Sequence, residues 1–186
     1  MSRIGKQSVF IPSSVQLQQV ANTLIFQGPA GAFQWTCTLP FRIRQKGSRV
    51  DLFPLVPRPY PRSVRAGWGT LRTGLFQMSY GLAYPFQSTL QLLGVGFKVF
   101  KKKEKLILKL GLSHRVFLEL PAFSSLEVRK TGKRPPRFLY TSPDYAFLRN
   151  LTFFLRTFKK PDPYKGKGFS FPEELRVLKE GKKVKN

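Results

Sequence analysis

The sequence predicts an α+β chain of two related halves, each a run of short strands followed by one helix. Three observations carry this. Apolar residues alternate through short runs bounded by Gly and Pro, two later segments switch to helical spacing, and one stretch of pattern occurs twice. The repeat sets Pro12-Ser13-Ser14-Val15-Gln16-Leu17-Gln18 against Pro121-Ala122-Phe123-Ser124-Ser125-Leu126-Glu127-Val128-Arg129. Downstream, Leu24 to Pro29 parallels Phe138 to Pro143. The match is one of periodicity more than identity. The boundary falls where the first helix ends, giving domains at residues 1–82 and 83–186.

In the first half, Val15 and Leu17 alternate with glutamines. Thr23-Leu24-Ile25-Phe26 then runs into the turn Gln27-Gly28-Pro29-Ala30-Gly31,. Phe33, Trp35, Cys37 and Leu39 alternate next, so a hairpin forms across Gly-Pro. Cys37, the sole cysteine, reads as a small buried apolar residue on that face and leaves no intrachain disulfide,. Arg42-Ile43-Arg44 pairs with Val50 to Phe53 through Lys46-Gly47-Ser48. Pro54 to Pro61 cannot continue a ladder and reads as an exposed connection,. Leu71, Leu75, Met78 and Leu82 mark a helix over Gly69–Leu82, weakened at Gly74 by about 1 kcal/mol,.

In the second half, Leu90 to Phe100 reads as one strand interrupted by Gly94 and Gly96, followed by the charged turn Lys101 to Glu104. Leu106, Leu108 and Leu110 alternate, and Val116 to Leu120 makes a further strand. A second helix covers Asp144 to Phe158, entered through Ser142-Pro143 and stopped by Pro161,.

Charge narrows the partner. The net charge is +24, from 33 Lys+Arg against 9 Asp+Glu, and such self-repulsion favours a permanent polyanion,. Nucleic acid leads, and an anionic membrane surface is a distant second. With 41% hydrophobic residues and 18 Phe, the chain has material for real cores,. The uncharged run Thr73 to Phe97 is broken by Gln77, Pro85, Gln87 and Gln91, which argues against a membrane span,. Met1 to Lys6 runs straight into Val9-Phe10-Ile11-Pro12 with no targeting pattern,.

Catalysis fails by elimination. His114 is the one histidine, so no multi-histidine metal site exists,. Gly94-Val95-Gly96-Phe97 lacks the third glycine of a dinucleotide loop, and Glu173-Glu174 are sequence neighbours that point apart,. No nucleophile motif or Walker loop is present. The chain reads as a non-enzyme with no cofactor and no small-molecule substrate.

The candidate site is Lys159-Lys160-Pro161-Asp162-Pro163-Tyr164-Lys165-Gly166-Lys167-Gly168-Phe169. Its prolines stop the helix. Lys165 and Lys167 supply point charges, Gly166 and Gly168 allow close backbone approach, and Tyr164 offers a face for stacking. Structured RNA suits such a surface. Further basic clusters are Arg3/Lys6, Arg58/Arg62/Arg65, Lys98 to Lys105, Arg129 to Arg137, and Arg156 through the C-terminus. Any one of them alone is an ordinary solvated face, and Lys101-Lys102-Lys103 reads so. Together they form a footprint for nucleic acid. The tail with Lys179, Glu180, Lys182, Lys183 and Lys185 is expected to order only against its partner.

Six motifs in order resemble the bacterial-type L-six family of large-subunit ribosomal proteins, over nearly the whole chain. They are Met1 to Lys6 with Ile11-Pro12 and Val15; Gly28-Pro29-Ala30-Gly31; and Gly69-Thr70-Leu71-Arg72 with Met78 and Gly81. Leu92-Leu93-Gly94-Val95-Gly96-Phe97, Leu110-Gly111-Leu112-Ser113-His114, and Tyr164 to Gly168 with Glu174, Arg176, Lys179 and Glu180 complete the series. The resemblance implies two tandem α+β domains, each an antiparallel sheet packed with a helix. It also implies binding to large-subunit rRNA near the factor-binding region and the sarcin-ricin loop, beside neighbouring ribosomal proteins. On this resemblance Tyr164 to Gly168 clamp the RNA backbone, and Lys159, Lys160 and Arg156 add charge. Gly94, Gly96 and Phe97, followed by Lys98, add loop contacts, as does Ser113 with His114. His114 reads equally as a structural turn residue.

Pro57-Arg58-Pro59-Tyr60-Pro61, Pro85 and Arg134-Pro135-Pro136-Arg137 depart from the family pattern. With acidic residues scarce, this drift points to a mitochondrial ribosome, a bacterial cytoplasm or plastid being the alternatives. The competing function is a free-standing nucleic-acid chaperone or single-strand binder. That function requires aromatics exposed on a sheet face, whereas alternation predicts burial for most Phe.

Overall fold

The computed structural model describes residues 2–20, 23–36, 40–122, 124–129 and 135–181. Cys37, Arg134, Lys182, Lys183 and Lys185 lie outside the described residues. The chain is α+β, with two helices and several small antiparallel sheets. It divides into two compact units, Met1–Phe86 with Pro143–Tyr145, and Gln87–Ser142 with Ala146–Asn186.

In the first unit, β2 (Gln16–Val20), β3 (Thr23–Gly28) and β4 (Gly31–Thr36) form one sheet in that order. The β3–β4 hairpin closes across Pro29-Ala30, with Gly28 opposite Gly31, as the Gly-Pro signal predicts. A second sheet has the order β1 (Val9–Phe10), β6 (Arg49–Pro54), β5 (Phe41–Lys46). Its pairing of Arg42 with Phe53 and Arg44 with Asp51 follows the expected hairpin. Leu24, Phe26, Phe41, Ile43, Val50 and Leu52 meet Val64, Trp68, Leu75 and Leu82 of the helix in one core.

That helix, α1, spans Arg62–Ala83 and starts seven residues before the expected Gly69. Val64, Trp68, Leu71 and Leu75 already stand at helical spacing, but Gly67 and Gly69 disguised the first turns. Burial overrides their poor propensity. Trp68 fixes the position by donating its indole N–H to the Leu52 carbonyl at 3.0 Å. The connection after β6 is also less exposed than expected. Val56 and Tyr60 pack on the core, Tyr60 meeting Trp68 edge-on at 6.0 Å.

In the second unit, β11 (Ser125–Arg129), β12 (Arg137–Ser142), β7 (Phe86–Leu93) and β13 (Gly168–Ser170) form one sheet in that order. The other sheet has the order β10 (Val116–Glu119), β9 (Lys105–Lys109), β8 (Lys98–Lys102). The strand expected from Leu90 to Phe100 is therefore two strands in different sheets. Gly94 and Gly96, both at positive φ, turn the chain between them. α2 spans Tyr145–Phe158 and buries Leu148, Leu151, Thr152 and Leu155. Tyr140 lies deep in this unit, and burial pushes its phenol well above the usual range.

The repeat has a structural counterpart. Val15 N–H donates to the Pro12 carbonyl and Ser124 N–H to the Pro121 carbonyl, both at 3.0 Å. An antiparallel pair follows each turn, β2–β3 in one unit and β11–β12 in the other.

Burial of most Phe is not observed. Phe10, Phe53, Phe76, Phe100, Phe117, Phe153 and Phe154 are exposed, while only Phe26, Phe41, Phe138 and Phe169 are fully buried among the described residues. Where both faces of a strand are apolar, alternation cannot say which one turns inward. Val99 went in and Phe100 came out.

Candidate nucleic-acid interface

The basic segment after α2 folds into a closed loop, and one aspartate closes it. Asp162 N–H donates to the Lys167 carbonyl and Gly166 N–H to the Asp162 carbonyl, each at 2.9 Å. The Asp162 carboxylate accepts the Tyr164 N–H at 3.3 Å and the Lys165 N–H at 3.0 Å. An Asx turn of this kind fixes the backbone with a side chain. Tyr164, which is 54% exposed, and the Lys165 and Lys167 side chains face outward.

Gly166 and Gly168 do something other than expected. Both are buried, and the close backbone approach is to the chain itself rather than to a partner. A Cβ at Gly168, where φ is +136°, would lie 2.6 Å from the Lys160 carbonyl oxygen and 2.8 Å from that of Lys159. Phe169 N–H donates to the same Lys159 carbonyl at 3.0 Å, and Gly168 pairs with Leu93 of β7. The glycine lets β13 join the sheet directly beneath the loop.

Phe97 gathers the other candidate segments. Its ring fills the space where a Cβ of Gly94 (φ +146°) would stand, and Gly111 closes on it from a second side. Lys159 Nζ lies 5.8 Å from the ring centroid, a cation–π contact,. The half-buried ring thus joins the Gly94 turn, the Gly111–His114 loop and the Lys159–Gly168 segment. Phe97 is thus a hub within its own chain. Around it Val95 (92% exposed), Gly96, Lys98, Ser113, His114 and Lys160 are free to meet a partner. Arg3 and Lys6 are exposed in the first unit.

Arg156 is engaged within its own chain. Its guanidinium is half-buried, ion-paired to Glu174 at 3.0 Å and placed 5.0 Å over the Phe171 ring. The pair with Glu174 anchors the C-terminal segment. Arg176 Nη1 donates to the Gly166 carbonyl at 3.3 Å, and Lys179 N–H to the Pro163 carbonyl at 2.9 Å. Lys179, expected to order only on a partner, is thus tied to the loop by its own chain.

Sequence reasoning missed Asp162, Glu174 and Arg176 as organisers of the site. Asp162 left a local signal, an Asp between two prolines followed by glycine four positions on, while Glu174 and Arg176 stood out only as part of the closing motif. The cluster has the character of a polyanion-binding surface: free ammonium groups and exposed small residues on loops braced from beneath.

The chain has curated relatives among ribosomal proteins. The chain is 34% identical over 183 residues to large ribosomal subunit protein uL6 of Caulobacter vibrioides, covering 98% of this chain and 99% of that protein. It is 32% identical over 183 residues to the same protein of Mesorhizobium japonicum, with the same coverage. With uL6 of Caldicellulosiruptor saccharolyticus the identity is 32%, over 98% of this chain and 96% of the relative. No protein-family model matches the chain. The chain belongs to the uL6 family of large ribosomal subunit proteins.

Proposed function

We propose that this chain is a structural constituent of the large ribosomal subunit that binds and stabilises large-subunit rRNA near the factor-binding region, alongside neighbouring subunit proteins. It performs no reaction. The carrying observation is the convergence on Phe97 of three loop segments, with Lys98, Lys160, Lys165 and Lys167 exposed around them. Tyr164, Lys165 and Lys167 of the Tyr164–Gly168 loop make the contact, on a backbone prefolded by Asp162. The exposed Ser113-His114 loop lies on the same hub.

The ribosome concerned is of the bacterial type, in keeping with the bacterial relatives. Within that type we assign the protein to mitochondria. The support is the chain's own drift: Pro57 to Pro61, Pro85, and carboxylates reduced to 9 against 33 cations. Fractionation of organelles followed by sedimentation tests both points, since the protein should travel with the large subunit in mitochondria. Recovery in a plastid or bacterial cytoplasmic fraction would move the compartment, and a free pool at physiological salt would remove the ribosomal role. Lys165→Glu with Lys167→Glu should weaken rRNA binding more than tenfold and lower the salt-dependence slope by about 2. Circular dichroism should show the fold unchanged.

A further inference from the structure

The sheet β10-β9-β8 carries a row of apolar side chains on its outer face that neither the core nor the loop cluster uses. Phe100 on β8 stands directly opposite Ile107 on β9, and Ile107 stands opposite Phe117 on β10. Cross-strand partners share a face, so the three form a line across the sheet. The opposite face holds the buried Val99, Leu106 and Leu108. Phe100 is 50% exposed and Phe117 62% exposed. Two strand spacings separate their backbones, about 10 Å.

Lysines frame this row at both ends. Lys98 pairs with Lys109 on one side, and Lys102 with Lys105 on the other. Glu119 is the one carboxylate on the face, 2.9 Å from Lys105 and paired to it. That contact raises the Lys105 ammonium pKa, chiefly through its hydrogen bond to Glu119. The result is a narrow apolar strip with flat rings, inside a cationic frame. Aromatic rings on a sheet face stack unpaired bases, while flanking cations hold the phosphates. The sheet also continues from the hub: Lys98 follows Phe97, and Lys109 precedes the Gly111 loop by two residues.

We propose that the outer face of β8–β9–β10 is a base-stacking platform for unpaired nucleotides of the bound RNA, with Phe100 and Phe117 as the stacking rings. This rests on the reading of the second unit as the rRNA-binding part. The excess of lysine over carboxylate around the strip favours RNA over an apolar protein partner.

The test compares two probes on the full chain: a short single-stranded RNA of mixed sequence, and an abasic strand of equal length. Phe100→Ala with Phe117→Ala should lower affinity for the base-bearing RNA about tenfold or more. Affinity for the abasic strand should stay unchanged, and Phe100→Tyr with Phe117→Tyr should restore binding. Equal losses on both probes, or no loss on either, would overturn the platform. So would a photo-crosslinking side chain at position 117 that captures a protein and no RNA in assembled subunits. Failure of the unaltered chain to bind either probe or an rRNA fragment would sink the underlying reading as well. Intact binding with indifferent Phe variants removes the platform alone.

Discussion

The two halves of the chain hold their positive charge in different ways. Residues 1–86 carry ten Lys and Arg against a single carboxylate, Asp51, whereas residues 87–186 carry 23 against eight. In the second unit carboxylates do more than cancel charge. Asp162 folds the loop that presents Lys165 and Lys167, and Glu174 holds Arg156 so that the following segment braces the loop. In the first unit Arg42, Arg44, Lys46 and Arg49 share the outer face of their sheet with one carboxylate, Asp51. A cationic surface becomes a defined site when a few anions fix the backbone beneath it, because positioning before binding lowers the ordering cost on contact.

The largest expected effect breaks the first unit. Trp68→Ala removes the ring against Phe41 and Tyr60 and the hydrogen bond to the Leu52 carbonyl, at a cost of about 3–5 kcal/mol,. Urea unfolding monitored through the remaining tryptophan, Trp35, measures it. Gly168→Val comes next, since the side chain would collide with the Lys159 and Lys160 carbonyls at a positive φ. We expect a loss of about 3 kcal/mol or more, with new protease cleavage between residues 160 and 168.

Asp162→Ala sharpens the comparison most. Long-range electrostatics alone predicts tighter RNA binding, because a negative charge is removed. If the carboxylate acts by folding the loop, binding to an rRNA fragment instead weakens by about tenfold at constant salt, through loss of two backbone hydrogen bonds,. A filter-binding titration decides the sign. The smallest effect concerns Ser170, whose buried hydroxyl has no hydrogen-bond partner among the described residues. Ser170→Ala should leave thermal stability unchanged or raise it by about 1 kcal/mol, since an unsatisfied polar group disappears.

Much of the fold was legible because local chemistry dictated it. The Gly28–Gly31 turn, the β5–β6 hairpin and the end of α2 ahead of Pro161 follow from turn residues and alternation. The early start of α1 was hidden because burial of Val64 and Trp68 outweighs the glycines between them. β13 was illegible, a three-residue strand whose partner β7 lies some 75 positions earlier in the chain. At the candidate site the exposed lysines were readable as charge. Gly166, Gly168, Phe97 and Arg156 were read as contacts, yet the folded chain uses them to hold itself together.

By itself, then, the sequence determined the cationic character, the two helices, most hairpins, and the family to which the motifs belong. These depend on composition and on residues close along the chain. Only the tertiary structure decided which loops gather around Phe97, which arginine is already paired, and which side of a doubly apolar strand faces water. Those outcomes depend on groups distant in sequence competing for the same space, and period-two alternation carries no record of which face wins.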